Sequence, residues 1–220
     1  MLVPDIIIRS NRRSLSVSVD AFGRLVVRAP QKYPEAKIIT FLNEKEDWIL
    51  KKKREKAETG MRLPPETLEG YSFMLLGKDC RIRLIKTGKV VFDPQTNIVY
   101  VPAKNAKAKL VNWLKANAKR LFTEVTAEKA KLMKTKFKSV RISSARTRWG
   151  SCSFDNSIRY SFRLIYAPKE VIEYIVVHEL AHTKQKNHSK DFWDLVEKYL
   201  PDYEDHKEWL IRYSGLMEIF

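Results

Sequence analysis

Cysteine is nearly absent from this chain: Cys80 and Cys152 are the only two in 220 residues. That excludes a disulfide-dense secreted scaffold, and two reduced thiols in a cytoplasmic protein are the expected reading. No apolar run approaches the roughly 20 residues of a membrane-spanning helix, so no membrane partner is expected. The opening Met1-Leu2-Val3-Pro4-Asp5 has no basic stretch leading into an apolar one, and no secretory signal is expected there. No low-complexity segment and no internal repeat stand out. Histidine is scarce and confined: there are four, and all fall between positions 178 and 206.

What is present suits a soluble globular protein. Hydrophobic residues make up 44% and charged residues 31%, in a chain long enough for one large domain or two small ones. The formal net charge is +16, unevenly placed. Residues 166–220 hold 7 Lys/Arg and 11 Asp/Glu, a net of −4, so residues 1–165 carry +20. A basic body suits a polyanion, nucleic acid first, although lysine-rich faces also serve solubility alone.

Periodicity assigns the elements. Leu15, Val17 and Val19 alternate with polar residues, Asp20-Ala21-Phe22-Gly23 reads as a turn, and Leu25 and Val27 resume, which is a hairpin. Pro34-Glu35 suits a helix start. Ile38, Ile39, Phe41, Leu42, Trp48 and Ile49 then follow at helical spacing to about Lys56. Gly60 through Gly70 reads as a connector. Short strands are expected at about 72–76, 79–85, 89–93 and 97–101, with turns at Gly77-Lys78 and Thr87-Gly88. A long amphipathic helix is expected over 105–134, with Leu110, Leu114, Ala118, Leu121, Val125 and Met133 on its apolar face. Residues 104–138 hold eleven Lys/Arg against Glu124 and Glu128, the sharpest basic feature. Lys115, Lys119 and Arg120 on this helix are the candidate nucleic-acid contacts, with a solvated helix face as the plain alternative. Strands at 138–143 and 157–165 flank residues 144–153. A helix over about 168–184 carries the first two histidines, Ser189 with Asp191 suits the start of another that ends near Pro201, and a short one carries Trp209 and Leu210.

His178-Glu179-Leu180-Ala181-His182 is a His-Glu-x-x-His pattern, and the apolar run Val171–Val177 leads into it. Residues four apart share one helix face, so both imidazoles can hold one ion. Glu179 sits beside the first ligand, where its carboxylate can take a proton from a water on that ion. A buried helix with two chance histidines does not account for Glu179, and desolvating these groups without an ion is costly. A catalytic zinc takes three protein ligands and leaves a place for water. His188 is the favoured third ligand, because it follows closely enough for a reversing chain to return it to the ion. Asp191, Asp194, Glu197 and His206 compete for that role. Cys152 reads as a small packed residue.

Several segments together carry a resemblance. Arg148-Trp149-Gly150-Ser151-Cys152-Ser153, Arg163-Leu164-Ile165, Ala167-Pro168, Tyr174 through His182, Asn187-His188-Ser189 and Phe192-Trp193 resemble the YgjP-like metallopeptidase family, most densely over 141–203. The resemblance implies a zincin-like domain with His178, His182 and His188 on one zinc and Glu179 as catalytic acid/base. The family is itself similar to the SprT-like proteases, some of which act on proteins attached to DNA, which by analogy gives the basic body a meaning. The chain departs from the family pattern at Arg159-Tyr160-Ser161-Phe162, where Asn and Leu are frequent, so substrate contacts are expected to differ. Arg148 either stabilises an oxyanion near the metal or pins its loop through backbone carbonyls.

The expected protein is therefore α+β, with a basic strand-and-helix region over 1–135 and a zincin-like metal-binding catalytic region over 136–220. Its expected activity is zinc-dependent hydrolysis of a peptide or protein substrate, with a strand near 157–163 holding the peptide by edge pairing. The rivals are a metal-dependent hydrolase of another amide or ester, and a nucleic-acid-binding protein with a closed structural metal site.

Overall fold

The computed structural model describes residues 2–20, 22–59 and 64–220. Ala21 in the first expected turn, and residues 60–63 of the expected connector, lie outside the described residues. The chain divides into two compact units, 1–63 with 212–216 and 64–211 with 217–220. The boundary expected at 135/136 thus falls within the second unit. The reason is physical: the long helix before it packs on the elements after it.

In the first unit, β1 (Ile6–Ser10), β2 (Ser16–Val19) and β3 (Leu25–Pro30) form a sheet of order β1-β3-β2. The expected hairpin is β2–β3, antiparallel, with Val17 opposite Val27 and Val19 opposite Leu25. Strand β1 pairs parallel with β3; its Ile-Ile-Ile run has no alternation to mark a face, and the sequence reading gave no element there. The single helix expected after Pro34 is two, α1 (Glu35–Glu44) and α2 (Glu46–Ala57), broken at Lys45. Leu25, Val27, Ala29, Ile38, Leu42 and Ile49 form the core. The break turns Trp48 out of it, to 41% exposure.

The second unit opens with β4 (Ser72–Leu75), β5 (Lys78–Ile85), β6 (Val91–Asp93) and β7 (Ile98–Pro102), a sheet of order β4-β5-β7-β6. Gly77 makes the β4–β5 turn with φ +77°, and a Cβ there would lie 2.9 Å from Pro168. The Leu76 and Gly77 amides donate to the Ile165 and Tyr166 carbonyls at 2.9 and 3.0 Å. This turn therefore holds the segment that starts the histidine-bearing helix.

Helix α3 (Ala106–Leu132) buries Leu110, Leu114, Ala118, Phe122, Val125, Thr126 and Ala130. Phe122 rather than Leu121 holds the middle of that face; Leu121 is only half-buried. Beyond it, β8 (Ser139–Ser143), β9 (Gly150–Cys152) and β10 (Ser157–Ser161) form a sheet of order β8-β10-β9. Val140, Ile158 and Tyr160 point into the core, where Tyr160 meets Phe122 edge-on at 5.6 Å. The expected strand 157–165 stops at Ser161, and residues 162–166 tighten into a 3-10 turn. Next come α4 (Lys169–Ala181), α5 (Lys190–Tyr199) and α6 (Tyr203–Arg212). Helix α4 packs against α3, and Lys129 pairs with Glu173 at 2.5 Å between them.

The face of α3 can be tested. Phe122→Ala should cost about 3–5 kcal/mol in urea denaturation, as expected for emptying a sealed aromatic site. Leu121→Ala should cost only about 1 kcal/mol. The reverse order would return the helix to the register expected from periodicity.

Candidate metal centre

Helix α4 is apolar almost all round, with Val171, Ile172, Ile175, Val176 and Val177 buried. Its last turn therefore carries His178 and Glu179 into a dry environment. His182 is its C-cap, and the chain reverses over residues 183–189 without glycine. The His182 Nδ1–H donates to the Gln185 carbonyl at 3.0 Å, which fixes both the turn and the ring. The reversal returns His188. Donor atoms of His178, His182 and His188 all lie within 4.8 Å of one another, and among the described residues no other such His/Cys/Asp/Glu group occurs. His178 Nε2 and His188 Nε2 are 3.2 Å apart.

The competing third ligands stand elsewhere. Asp194 pairs with Lys190 at 2.6 Å, and His206 lies 3.4 Å from Asp202; neither joins the triad, nor do Asp191 and Glu197. Helix α5 contributes aromatic packing instead. Ser189 occupies its N-cap position, though its side chain makes no capping bond. Phe192 is fully buried, with ring centroids 4.9, 4.5 and 4.7 Å from His178, His182 and His188. Trp193 stacks on the exposed His188 ring at 5.7 Å and on Tyr203 at 5.3 Å. These contacts orient a histidine that its own loop leaves in solvent.

Burial decides the electrostatics. Desolvation, then the neighbouring positive charge of His182 and His188, brings His178 down to about 3. His182 is also lowered, again mainly by burial. Glu179 is 4% exposed, and burial raises its carboxyl to about 8, with the Arg148 guanidinium pulling it down. Glu179 Oε2 and His178 Nδ1 have no hydrogen-bond partner. Neutral imidazoles are what a cation requires, and a cation would draw the lone carboxyl back to its charged form.

The Arg148–Ser153 segment has a clear structural role. Residues 150–152 are strand β9, antiparallel to β10, and β9 packs on α4. A Cβ on Gly150 would lie 2.4 Å from Glu179 Oε1 and 2.8 Å from its Cγ. Only glycine lets the strand lie this close. Cys152 is a free thiol, raised mainly by burial, and it stays outside the triad. Arg148 is exposed and makes no hydrogen bond to a backbone carbonyl among the described residues, so it does not pin the loop. That task falls to Arg163, which sequence reasoning left without a role. Its buried guanidinium donates to the Ser144, Ile219 and Phe220 carbonyls at 3.0, 3.0 and 2.6 Å.

One expectation is corrected for the substrate strand, and the expected contacts on α3 have the following neighbours. Strand β10 is the central strand of its sheet and has no free edge, so the expected edge pairing near 157–163 is unavailable there; the free edge nearest Glu179 is β9. On α3, Lys119 Nζ donates to the Val140 carbonyl, and Lys115 Nζ lies 5.5 Å over the Phe162 ring. Of the three expected nucleic-acid contacts, Arg120 alone has no partner off its own helix, its one bond being to Asn117.

Known proteins now bear on the chain. A 74-residue stretch is 35% identical to the UTP pyrophosphatase of Escherichia coli (strain K12), covering 32% of this chain and 44% of that protein, so the chain spans less than half of the length of this curated relative. The metallopeptidase zymogen abylysin of Pyrococcus abyssi is 24% identical, covering 41% of this chain and 91% of its own, with a TM-score of 0.39. The zymogen jannalysin of Methanocaldococcus jannaschii is 20% identical, covering 41% and 94%, with a TM-score of 0.38. The match to a family as a whole is far longer: residues 13–213 fit the one described as YgjP-like, metallopeptidase domain. With nearly the whole chain matched, and the histidine helix and the Gly150 strand inside that span, the chain belongs to the YgjP-like metallopeptidase-domain family.

Proposed function

We propose that the protein is a zinc-dependent hydrolase in which Glu179 moves the proton of the attacking water, and that the bond cut is a peptide bond. The observation that supports it is the convergence of three imidazoles on one point beside a buried carboxyl with an unpartnered oxygen. The donor set fits zinc. Bonds of about 2.0–2.1 Å in a tetrahedral site put neighbouring ligand nitrogens about 3.3 Å apart, and His178 Nε2 and His188 Nε2 are 3.2 Å apart.

Zinc held by His178, His182 and His188 would supply Lewis acidity and an acidified water. The chain's own groups do the rest. The Gln185 carbonyl accepts a hydrogen bond from His182 Nδ1–H and so leaves the Nε2 lone pair to face the metal. Glu179 accepts the water's proton and passes it to the leaving amine. The free edge of β9 offers backbone pairing to an extended peptide. Arg148 has its charge free for negative charge that develops beside Glu179.

A second reading is hydrolysis of a nucleoside triphosphate. The activity named for the Escherichia coli relative suggests it, and unpaired arginines in the clefts beside β9 favour it. There the same Glu179 takes the water's proton, oxygen attacks the α-phosphorus, and the bond to pyrophosphate breaks. A peptide library read by mass spectrometry, set beside pyrophosphate release from UTP, separates the two. Peptide products without pyrophosphate are expected; the opposite outcome would exchange the readings.

Three variants test the site. His178→Ala or His182→Ala should abolish zinc binding in elemental analysis, and His188→Ala should weaken it greatly. Full occupancy in any of them would remove that residue from the ligand set. Glu179→Gln should keep the zinc while turnover falls by about 10²–10⁴; a wild-type rate would end the proton-transfer role. Gly150→Ala should also keep the zinc but lower turnover at least about tenfold by displacing Glu179, whereas Thr123→Ala on the exposed face of α3 should not. Equal activity of the two would show that the close approach of β9 is immaterial.

A further inference from the structure

Strands β8 and β10 carry the same five-residue pattern. Ser139-Val140-Arg141-Ile142-Ser143 lies parallel to Ser157-Ile158-Arg159-Tyr160-Ser161, in a register that sets serine beside serine and Arg141 beside Arg159. Ser151 of β9 lies on the other side of Arg159. Val140, Ile158 and Tyr160 face the core, and Arg141 and Arg159 are the exposed residues of the two strands.

Like charges side by side on neighbouring strands are destabilising. The usual remedy is a carboxylate, and none is supplied. Among the described residues Arg141, Arg148 and Arg159 have no ion pair and no hydrogen bond to a protein group. Asp155, the one acid at these clefts, is bound to Lys138 at 2.7 Å. Two open clefts of about 310 and 460 Å³ lie over this face, and Arg148, Ser151 and Arg159 line both. Arg148 ties them to the metal centre: it stands two residues before the Gly150 that covers Glu179.

We infer that this sheet face is a binding site for a chain of phosphate oxyanions, with Arg141 and Arg159 as adjacent forks and Arg148 joining them to the hydrolytic centre. Guanidinium groups match phosphate oxygens two at a time, and successive phosphates need successive forks. A neutral peptide backbone offers Arg141 and Arg159 no counter-charge. The inference deepens the second reading above and rests on it for the nucleoside triphosphate as ligand.

Calorimetric titration of the full chain with inorganic tripolyphosphate tests it without turnover. Wild type should bind, and Arg141→Gln or Arg159→Gln should each weaken binding about tenfold or more, the usual worth of a charged hydrogen bond. Arg141→Lys should recover only part, because it restores charge without the fork. Arg120→Gln on α3 should bind like wild type, and unchanged melting curves would show that the variants fold. Failure of wild type to bind, or equal losses on replacing Arg120, would overturn the inference. So would an oligoglutamate peptide binding as tightly through the same arginines. If tripolyphosphate binds through these arginines but zinc-loaded enzyme releases no pyrophosphate from UTP, the second reading fails and the binding site stands.

Discussion

The site depends on how closely β9 lies against α4. A three-residue strand with glycine at its first position touches the Glu179 side chain. That contact removes water from one side of the carboxyl, while α4's own packing removes it from the other. The result is an acid at 4% exposure with one oxygen unpartnered. Such an arrangement is unfavourable in the protein alone and becomes favourable when a cation and a water fill it. The same logic holds for His178, whose burial leaves it neutral and ready to donate. Stability has been sacrificed at these two residues, and the surrounding packing of Phe192, Tyr174 and the α4 core makes that tolerable.

Pre-organisation comes from three separate devices. The Gly77 turn docks on the residues just before α4 and sets where that helix begins. Arg163 holds the chain upstream of β9 through buried carbonyls. Trp193 stacks on the otherwise exposed His188. Each fixes an element that carries a triad histidine or lies against Glu179. A ligand set held this way would lose little entropy on binding an ion, and the fold itself places Glu179 beside it.

The sequence made much of this legible, for reasons that differ by element. The His178–His182 helix was readable because four-residue spacing is a property of helices themselves. His188 was readable because six residues of chain can make only a short return. Four strands between 72 and 102 were readable because turn glycines and alternation agree. Most of the failures turn on pairing or packing that no local pattern shows. Gly-Ser-Cys has little preference for strand and becomes β9 only by pairing with β10. Ile6–Ile8 shows no face until β3 supplies one. Leu121 and Phe122 suit the helix pattern equally, and Tyr160 decides between them. The edge of the sheet was misplaced for the same reason, since strand order is not local information.

Charge shows most sharply how composition and placement diverge. Eleven basic residues over 104–138 make α3 the obvious cationic feature of the sequence. In the fold, Lys115 lies over a ring, Lys119 bonds a strand carbonyl, and Lys129 pairs with Glu173. Long lysine stems let these charges serve packing between elements. The arginines at 141 and 159 are two single letters in two short strands, 18 positions apart, and carry little weight in a count. Parallel pairing puts them side by side with no acid to answer them. A field strong enough to gather an anion comes from such uncompensated neighbours in a cleft. Composition ranks the basic helix first, yet the arginines left without an acid in one cleft with Arg148 lie on β8 and β10.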